Sequence, residues 1–597
     1  NNRICTDVLV TGERVAEAKP GQIVVVQIVE QPSIHSLPTG TIAEILGDHL
    51  TPDMEVEIAL RNNDIPVNWP DEVIEAVDRM PIEVKEGDKA NRKDLRQMRF
   101  VTIDGEDARD FDDAVYCEAR PSGWRLYVAI ADVSHYVEIG TPLDQSAFER
   151  GTSVYFPQYV VPMLPEKLSN GLCSLNPAVD RLVLVCEMTI SSRGRVGSYR
   201  FYEGLIHSHA RLTYTRVARM IEGDVDKEVA HVKGEIDELH NLYRVLLDRR
   251  EERGALDFES TELGFLFGED GRVTGIQPRH RNTAHRIIEE CMLCANVSAA
   301  RFIGRHKRAG LYRVHEPPEM EKVEYLREFL ARFGLDLGGG EMPAPSDLQV
   351  VIDQLRTRKN GHVLQMAVLR AMQQAVYQPD NKGHYGLNYR EYTHFTSPIR
   401  RYPDLLVHRF IKSVIHSRED STLVERFGKP RSVDFYPYEM DEAVMMGEHC
   451  SFAERRADTA VYDVLEWIKC DYVSDRVGDI VEGVITAVTK FGFFVELLDL
   501  YVEGLVHVST LGGDYFEYDQ ESQALVGERS RHVYGMGDAV SVQIARVNVE
   551  ERKIDFELVT HSPLSRQRPH SRRKGKSTRR DQNKRGGRSG GGKGRRR

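Results

Sequence analysis

"TIDGEDARDFDDAVY", residues Thr102 to Tyr116, places Asp104, Glu106, Asp107, Asp110, Asp112 and Asp113 within ten positions. Carboxylates this close repel one another and favour water, so the cluster needs an exposed loop or a bound cation to be tolerated. The apolar run "RFVTID" predicts a strand ending at Asp104, and "DFDDAVYCE" predicts a second strand leaving the cluster. A Gly-containing loop between the two strands can fold the carboxylates onto one centre. Spacing excludes an EF-hand: counted from Asp104, Asp107 or Asp110, the sixth position, where Gly is needed, holds Arg109, Asp112 or Val115. An aspartyl phosphatase built on Asp110-Phe111-Asp112 lacks a clear later Lys and acidic pair. Two readings remain, an acidic surface loop and a Mg²⁺ site for phosphoryl transfer. Mg²⁺ takes oxygen ligands, keeps several waters and needs few carboxylates once a substrate phosphate is present. Two such ions roughly 4 Å apart can activate a water and stabilise a leaving oxygen together.

A second stretch, "HFTSPIRRYPDLLVHRF" from His394 to Phe410, weighs toward phosphate. Thr396 or Ser397 is expected to cap a helix with Pro398 at its first position. Arg400 and Arg401 then fall in the first turn, where the helix dipole disfavours cations. That placement makes sense if both arginines and the helix N-terminus face a phosphate together; a solvent-exposed Arg pair is the alternative.

Outward from these two stretches, residues 1 to about 80 alternate strand-like runs with Gly, Pro and Asn turns: "CTDVLVTG", "GQIVVVQIVEQP", "TGTIAEILGD" and "EVEIALRNNDIP". The pattern suggests a small barrel of OB or cold-shock type over residues 1–80. "DEVIEAVDRM" predicts a connecting helix, and residues 81–99 a linker. Residues 100–470 begin strand-rich ("RLYVAIADVSHYV", "LVLVCEMTIS", "SYRFYEGLIHSHARL"). They then become helical over 228–253, 282–305, 319–333, 363–377, 400–416 and 441–470. Strands first and helices later, without βαβ alternation, argue for one large α+β domain. Strand patterns return over 477–560 in the outline of a second OB barrel. The fold class expected is therefore multidomain α+β, a central mixed α+β domain flanked by OB-fold barrels. In "KFGFF", strict alternation would put Phe491 and Phe494 on opposite faces, whereas a bulge at Gly492 would bring both to one face for stacking on bases. A core role is the alternative.

Hydrophobic residues make up 41% and charged residues 29%, an ordinary globular balance. No apolar run approaches the roughly 18 residues of a membrane span, and the eight Cys are scattered, so a cytoplasmic protein is expected. Cys291 and Cys294 form the one Cys-x-x-Cys, in an apolar helical pattern without a second pair, which favours core packing over zinc. The overall charge of −12 hides a basic tail: residues 561–597 carry fifteen Lys/Arg against Asp581, hence +14, leaving −26 on the first 560 residues. Such a Gly, Ser, Arg and Lys composition predicts a disordered arm that seeks polyanions, with a solubility tail as the alternative.

The runs "DGEDARDFDDAV", "GTSVYFPQYVVPMLPEKLSNGLCSLNP", "HFTSPIRRYPDLLVHR" and "AERRA" resemble the RNB-domain exoribonucleases, the ribonuclease II/R family, and the likeness extends from residue 1 to about 560. The resemblance implies a Mg²⁺-dependent, processive 3′-to-5′ hydrolytic exoribonuclease that releases nucleoside 5′-monophosphates from single-stranded and structured RNA. It implies that Asp104, Asp110, Asp112 and Asp113 are the site carboxylates. Of these, Asp104, Asp110 and Asp113 best suit metal binding, and Asp112 is the one whose loss abolishes cleavage while sparing binding. Arg400 would steady charge on the scissile phosphate, with Glu454 supporting that centre and Arg401 beside the RNA. Tyr155 and Phe258 resemble an aromatic clamp on the terminal bases, and Phe491, Phe494 and His507 match the RNA face of the C-terminal OB module. Members of this family's nearest branch usually carry another cold-shock module and a helix-turn-helix upstream.

The partner expected is RNA with a free 3′ end, preferably on a single-stranded overhang, acted on by a monomer with no membrane. The basic tail is expected to reach RNA or the ribosome. Deleting residues 561–597 should weaken that association and flatten its salt dependence, because fewer counterions are released; an unchanged salt slope would remove the tail as a nucleic-acid contact. Two other readings stay open. A catalytically idle RNA-binding or chaperone protein would release no mononucleotide, and a metal-dependent endoribonuclease would cut circular RNA.

Overall fold

The Asp104–Asp113 segment lies between two neighbouring strands of a seven-stranded mixed sheet. In spatial order the strands are Ala210–Thr213, Val101–Asp104, Asp113–Arg120, Gly123–Ala131, Asp180–Ser191, Val196–His207 and Lys93–Asp94. Inner neighbours are antiparallel and the two edge strands pair in parallel. The computed structural model describes residues 6–562 except 13–16, 34–35, 48–50, 259–261, 270, 307, 359, 429–434 and 521–522. The Val/Leu/Ile run of Asp180–Ser191 is buried almost throughout, as a strand covered on both faces requires. Helices Lys233–Arg253, Thr283–Arg305 and Tyr402–Ile415 pack against the sheet and share its core. All fourteen residues of Tyr402–Ile415 are buried, including Asp404, Arg409 and Lys412.

The C-terminal barrel is closed, in the order Ile480–Thr489, Gly492–Leu497, Glu503–His507, Lys553–Ser562 and Ala539–Asn548. The described N-terminal residues form a three-stranded sheet of Leu9–Val10, Thr39–Gly47 and Ile23–Glu30.

Several expectations change. "EVEIALRNNDIP" is helical, Pro52–Asn62, with Thr51 capping the Met54 N–H at 3.3 Å. Val56, Ile58 and Leu60 mimic a strand's alternation, but Val56, Ala59 and Leu60 form one helical face against the long helix Met440–Ser474. Residues 81–99 are no linker: Val84 and Leu95 join the main core, and Lys93–Asp94 adds an edge strand to the sheet. The helix expected over 363–377 ends at Ala371, and Val376–Gln378 pairs instead with Tyr312–Val314. His561 does not belong to the tail. It lies within the last strand, Lys553–Ser562, 3.0 Å from Asp538, and residues 563–597, the rest of the basic arm, lie outside the described residues.

A buried charge cluster ties the former linker to the core. Asp132 accepts from Arg92 at 2.7 Å and from Lys412 at 2.9 and 3.0 Å, and Lys412 lies 3.3 Å from Glu203. Burial alone would raise both carboxyls, but Lys412 and Arg92 reverse it and hold Asp132 and Glu203 well below the ordinary range. Depressed folded-state values stabilise the protein above the unfolded carboxylate range, and that stability disappears as pH falls through the folded values. Lys412→Met should cost about 3–5 kcal/mol by leaving buried charge uncompensated. It should also move acid unfolding, followed by circular dichroism, to higher pH; an unchanged acid midpoint would remove the cluster from the stability argument.

Candidate active site

Phe111 explains the local order of the carboxylates. Its side chain is buried, its N–H donates to Ser174 Oγ at 3.0 Å, and its carbonyl accepts from the Leu175 N–H at 2.9 Å. The Asp112 carbonyl likewise accepts from the Ala131 N–H at 2.8 Å. The loop is therefore pinned between its acidic residues. Asp104 ends one strand and accepts the Gly105 N–H at 2.7 Å; Asp113 opens the next, opposite Ile130. Asp110 accepts the Tyr155 hydroxyl at 2.7 Å. Asp112 Oδ1 accepts the Ile399 N–H at 2.8 Å, while Oδ2 lies 3.7 Å from Arg400 Nε.

Burial dominates the electrostatics. It pushes the Asp113 carboxyl, with help from Asp104, up to about 7. It raises Asp112 well above the ordinary range despite Arg400 and the Ile399 N–H, and raises Asp104 with Asp110 adding to the effect. Asp112 Oδ2 and Asp113 Oδ2 are buried without a hydrogen-bond partner. Unpaired buried carboxylate oxygens are costly unless a cation meets them, and hard oxygen donors of this kind suit a divalent metal. Among the described residues, no group of three or more His, Cys, Asp or Glu is drawn together tightly enough to hold an ion. The four aspartates fit a metal in chemistry and are not closed around one.

The arginine turn departs from expectation. The helix starts at Tyr402 with Pro403 in its first turn, so Pro398 and both arginines precede it. Arg401 donates to Asp404 at 2.9 Å, and Asp404 also accepts the Ser397 N–H at 2.8 Å. An acid inside the first turn thus neutralises the cation that the dipole would oppose. Arg401 is engaged within the turn, whereas Arg400 leaves 43% of its side chain exposed beside Asp112 and is steadied by Ser397 Oγ at 3.0 Å. Glu454 pairs with Arg313 at 2.6 and 3.0 Å rather than with Arg400, and Arg313 lies over the Tyr377 ring at 4.6 Å.

Tyr155 points outward from Val154–Phe156 because its neighbours on that strand turn inward. Phe258 is half-buried against the core of helices Met320–Arg332 and Pro345–Arg356, and among the described residues no ring contact joins it to Tyr155. On the barrel, Phe491 lies in the turn before Gly492–Leu497, and Phe494 faces outward from that strand. Their rings meet edge-on at 6.3 Å, next to His507, which neighbours Gly492 across the ladder. No bulge at Gly492 is needed; the register shift falls on the partner strand between Ile485 and Ala487. Gly492 is required for a different reason, since a Cβ there would lie 2.2 Å from the Val506 carbonyl oxygen.

Two residues at this site escaped sequence reading. Tyr214 faces Asp104 and favours the charged form of its carboxyl. The His285 ring stacks on it at 3.8 Å, and Asn282, the cap of helix Thr283–Arg305, donates to its carbonyl at 3.2 Å. The Asn282 cap was a visible signal for that helix start, but nothing local linked it to Tyr214.

The family pattern described as RNB domain matches residues 92–417. A Cold shock domain matches residues 1–70 and an S1 RNA binding domain residues 474–558. Ribonuclease R of Escherichia coli (strain K12) is 50% identical over 563 residues, covering 94% of this chain and 69% of that protein. This chain belongs to the ribonuclease R family. It is thus a 3′-to-5′ exoribonuclease, a hydrolase of multidomain α+β fold with flanking OB-fold domains. RNB-domain ribonucleases are divalent-metal-dependent. Ribonuclease R of Mycoplasma genitalium, 26% identical, superimposes in its apo form with a TM-score of 0.86 over 94% of this chain and 86% of that one. The same relative has been solved with ribose-methylated single-stranded RNA (TM-score 0.85) and with double-stranded RNA (TM-score 0.79). Among the described residues of this ribonuclease R family member, no helix is long and apolar enough to cross a membrane.

Proposed function

We propose that Asp104, Asp110, Asp112 and Asp113 hold Mg²⁺ at the end of a path for the RNA 3′ terminus, and that Arg400 contacts the scissile phosphate. The observation that carries this reading is the pair of buried oxygens on Asp112 and Asp113 that have no hydrogen-bond partner, the first of them 3.7 Å from the half-exposed Arg400 guanidinium. Mg²⁺, when bound, supplies an activated water and neutralises charge on the leaving oxygen. Arg400 stabilises the charge that develops on the phosphate oxygens. Arg401, acting through Asp404 and Ser397, shapes the turn that presents Arg400, and Glu454 acts through Arg313. The substrate is RNA with a free 3′ end, including duplexes with a single-stranded overhang, in keeping with the relative solved with both RNA forms. A reducing cytoplasm suits the seven described cysteines, all free and buried. With Mg²⁺, linear 5′-labelled RNA should yield nucleoside 5′-monophosphates and circular RNA should survive. Cleavage of the circle would replace this reading with an endonuclease.

Phe258, Phe491, Phe494 and His507 grip bases along the way, which is sequence-tolerant because every base offers a π face. Tyr155 does two things at once: its ring stacks on the terminal base and its hydroxyl holds Asp110. The two roles separate by substitution. Tyr155→Ala should weaken 3′-end binding about tenfold, the lower part of the ~1–3 kcal/mol per stacked base, and change end-product length. Tyr155→Phe should keep the product ladder and raise the Mg²⁺ concentration for half-maximal rate. Identical ladders and Mg²⁺ curves for all three chains would remove Tyr155 from the site.

A further inference from the structure

A cavity of about 510 Å³ lies at the other end of the catalytic sheet from the aspartates. Asp113 pairs with Ile130 and Ile130 with Leu184, whereas the cavity is roofed by the turn that follows Ser191. Seven residues of strand separate the two levels, about 23 Å at ~3.3 Å per residue. Four chain segments wall it: the turn at Gly194, the C-terminal end of helix Lys233–Arg253, the middle of helix Thr283–Arg305, and the loop at 388–391. The turn is a fixed wall, since Gly194 has φ +68° and a Cβ there would lie 2.6 Å from the Val245 carbonyl oxygen.

Five arginines line the cavity against two acids, Glu290 and Glu391. The acids are already engaged: Glu290 with Arg250 at 2.8 Å, and Glu391 with Arg301 at 3.7 Å. Arg249 is taken by Glu252 at 2.8 Å. Among the described residues, Arg195, Arg253 and Arg390 have no carboxylate at ion-pair distance. Arg253 is preorganised: its Nε donates to the Leu387 carbonyl at 2.9 Å, and its guanidinium lies 4.0 Å over the Tyr389 ring. Its Nη2 is buried with no partner.

Three guanidinium groups without a carboxylate partner, one of them with an orphaned donor, call for a compact dianion, and the planar fork of Arg matches phosphate oxygens. Four walls and a volume within the roughly 300–1,000 Å³ of small-molecule sites suit a small ligand over a passing strand. We propose that this cavity binds a phosphate monoester, either a nucleoside 5′-monophosphate or free inorganic phosphate. Only the choice of mononucleotide rests on the proposed reaction; the phosphate site does not.

The test is calorimetric titration of the full chain, without Mg²⁺, by adenosine 5′-monophosphate, inorganic phosphate and adenosine. Phosphate-bearing ligands should bind and adenosine should not. Arg390→Ser, a change at an exposed side chain, should weaken binding about tenfold, in line with the loss of one charge-assisted hydrogen bond. Arg253→Met should weaken it further, and Tyr155→Ala should leave it unchanged. Tighter binding of the mononucleotide assigns the site to it, and equal binding assigns it to inorganic phosphate. Absence of binding overturns the proposal, as does binding that survives both arginine changes or is lost in Tyr155→Ala. Arg390→Ser should cleave RNA at the parent rate, so this outcome is read separately from that of the cleavage assay.

Discussion

Asp112→Asn should bind a 3′-overhang RNA as tightly as the parent chain and release mononucleotides at least about a thousandfold more slowly, a loss of ~4 kcal/mol of transition-state stabilisation. The substitution is nearly isosteric. Its Oδ1 still accepts the Ile399 N–H, so the turn carrying Arg400 keeps its anchor. What disappears is the negative charge on an oxygen that is buried, has no hydrogen-bond partner and lies 3.7 Å from Arg400. Since burial already disfavours that charge in the free protein, removing it should leave thermal stability unchanged or raised. A gel time course on 5′-labelled RNA, paired with filter binding, separates the two properties. A residual rate within tenfold of the parent would take Asp112 out of the reaction. If neither chain cleaves and both bind, the idle RNA-binding reading replaces the proposed mechanism.

Arg400→Ala should lower kcat by about 10²–10³, with KM changed only a few-fold, because its guanidinium is asked to act on charge that appears in the transition state. Its neighbour gives the control. Arg401 is engaged with Asp404, so Arg401→Ala should unsettle the turn and lower thermal stability as well as rate, whereas Arg400→Ala should leave stability intact. Arg400→Lys should recover part of the rate and not all, since an ammonium supplies a point charge without the fork. Single-turnover kinetics with saturating RNA reads this. A rise in KM with kcat unchanged would make Arg400 a binding residue only.

Much of the site's frame was legible locally. The strand into Asp104, the strand out of Asp113, the five strands of the C-terminal barrel and most helices follow from hydrophobic period and turn residues, which act over a few positions. Period misled at Pro52–Asn62, where the apolar spacing fits both a strand and a helix and packing on Met440–Ser474 selects the helix.

The partners of each group within the site were decided by tertiary structure alone. Asp112 is set apart from Asp110 by Ile399, 287 positions away, and Asp110 is held by Tyr155, 45 positions away. Glu454 reaches Arg313 across 141 positions, and the two adjacent arginines divide into one spent on Asp404 and one left facing the carboxylates. The sequence by itself determined which carboxylates share a loop. Burial and partners brought from distant segments decided which oxygens are left unpaired, because desolvation and hydrogen bonding depend on what the folded chain places around a group.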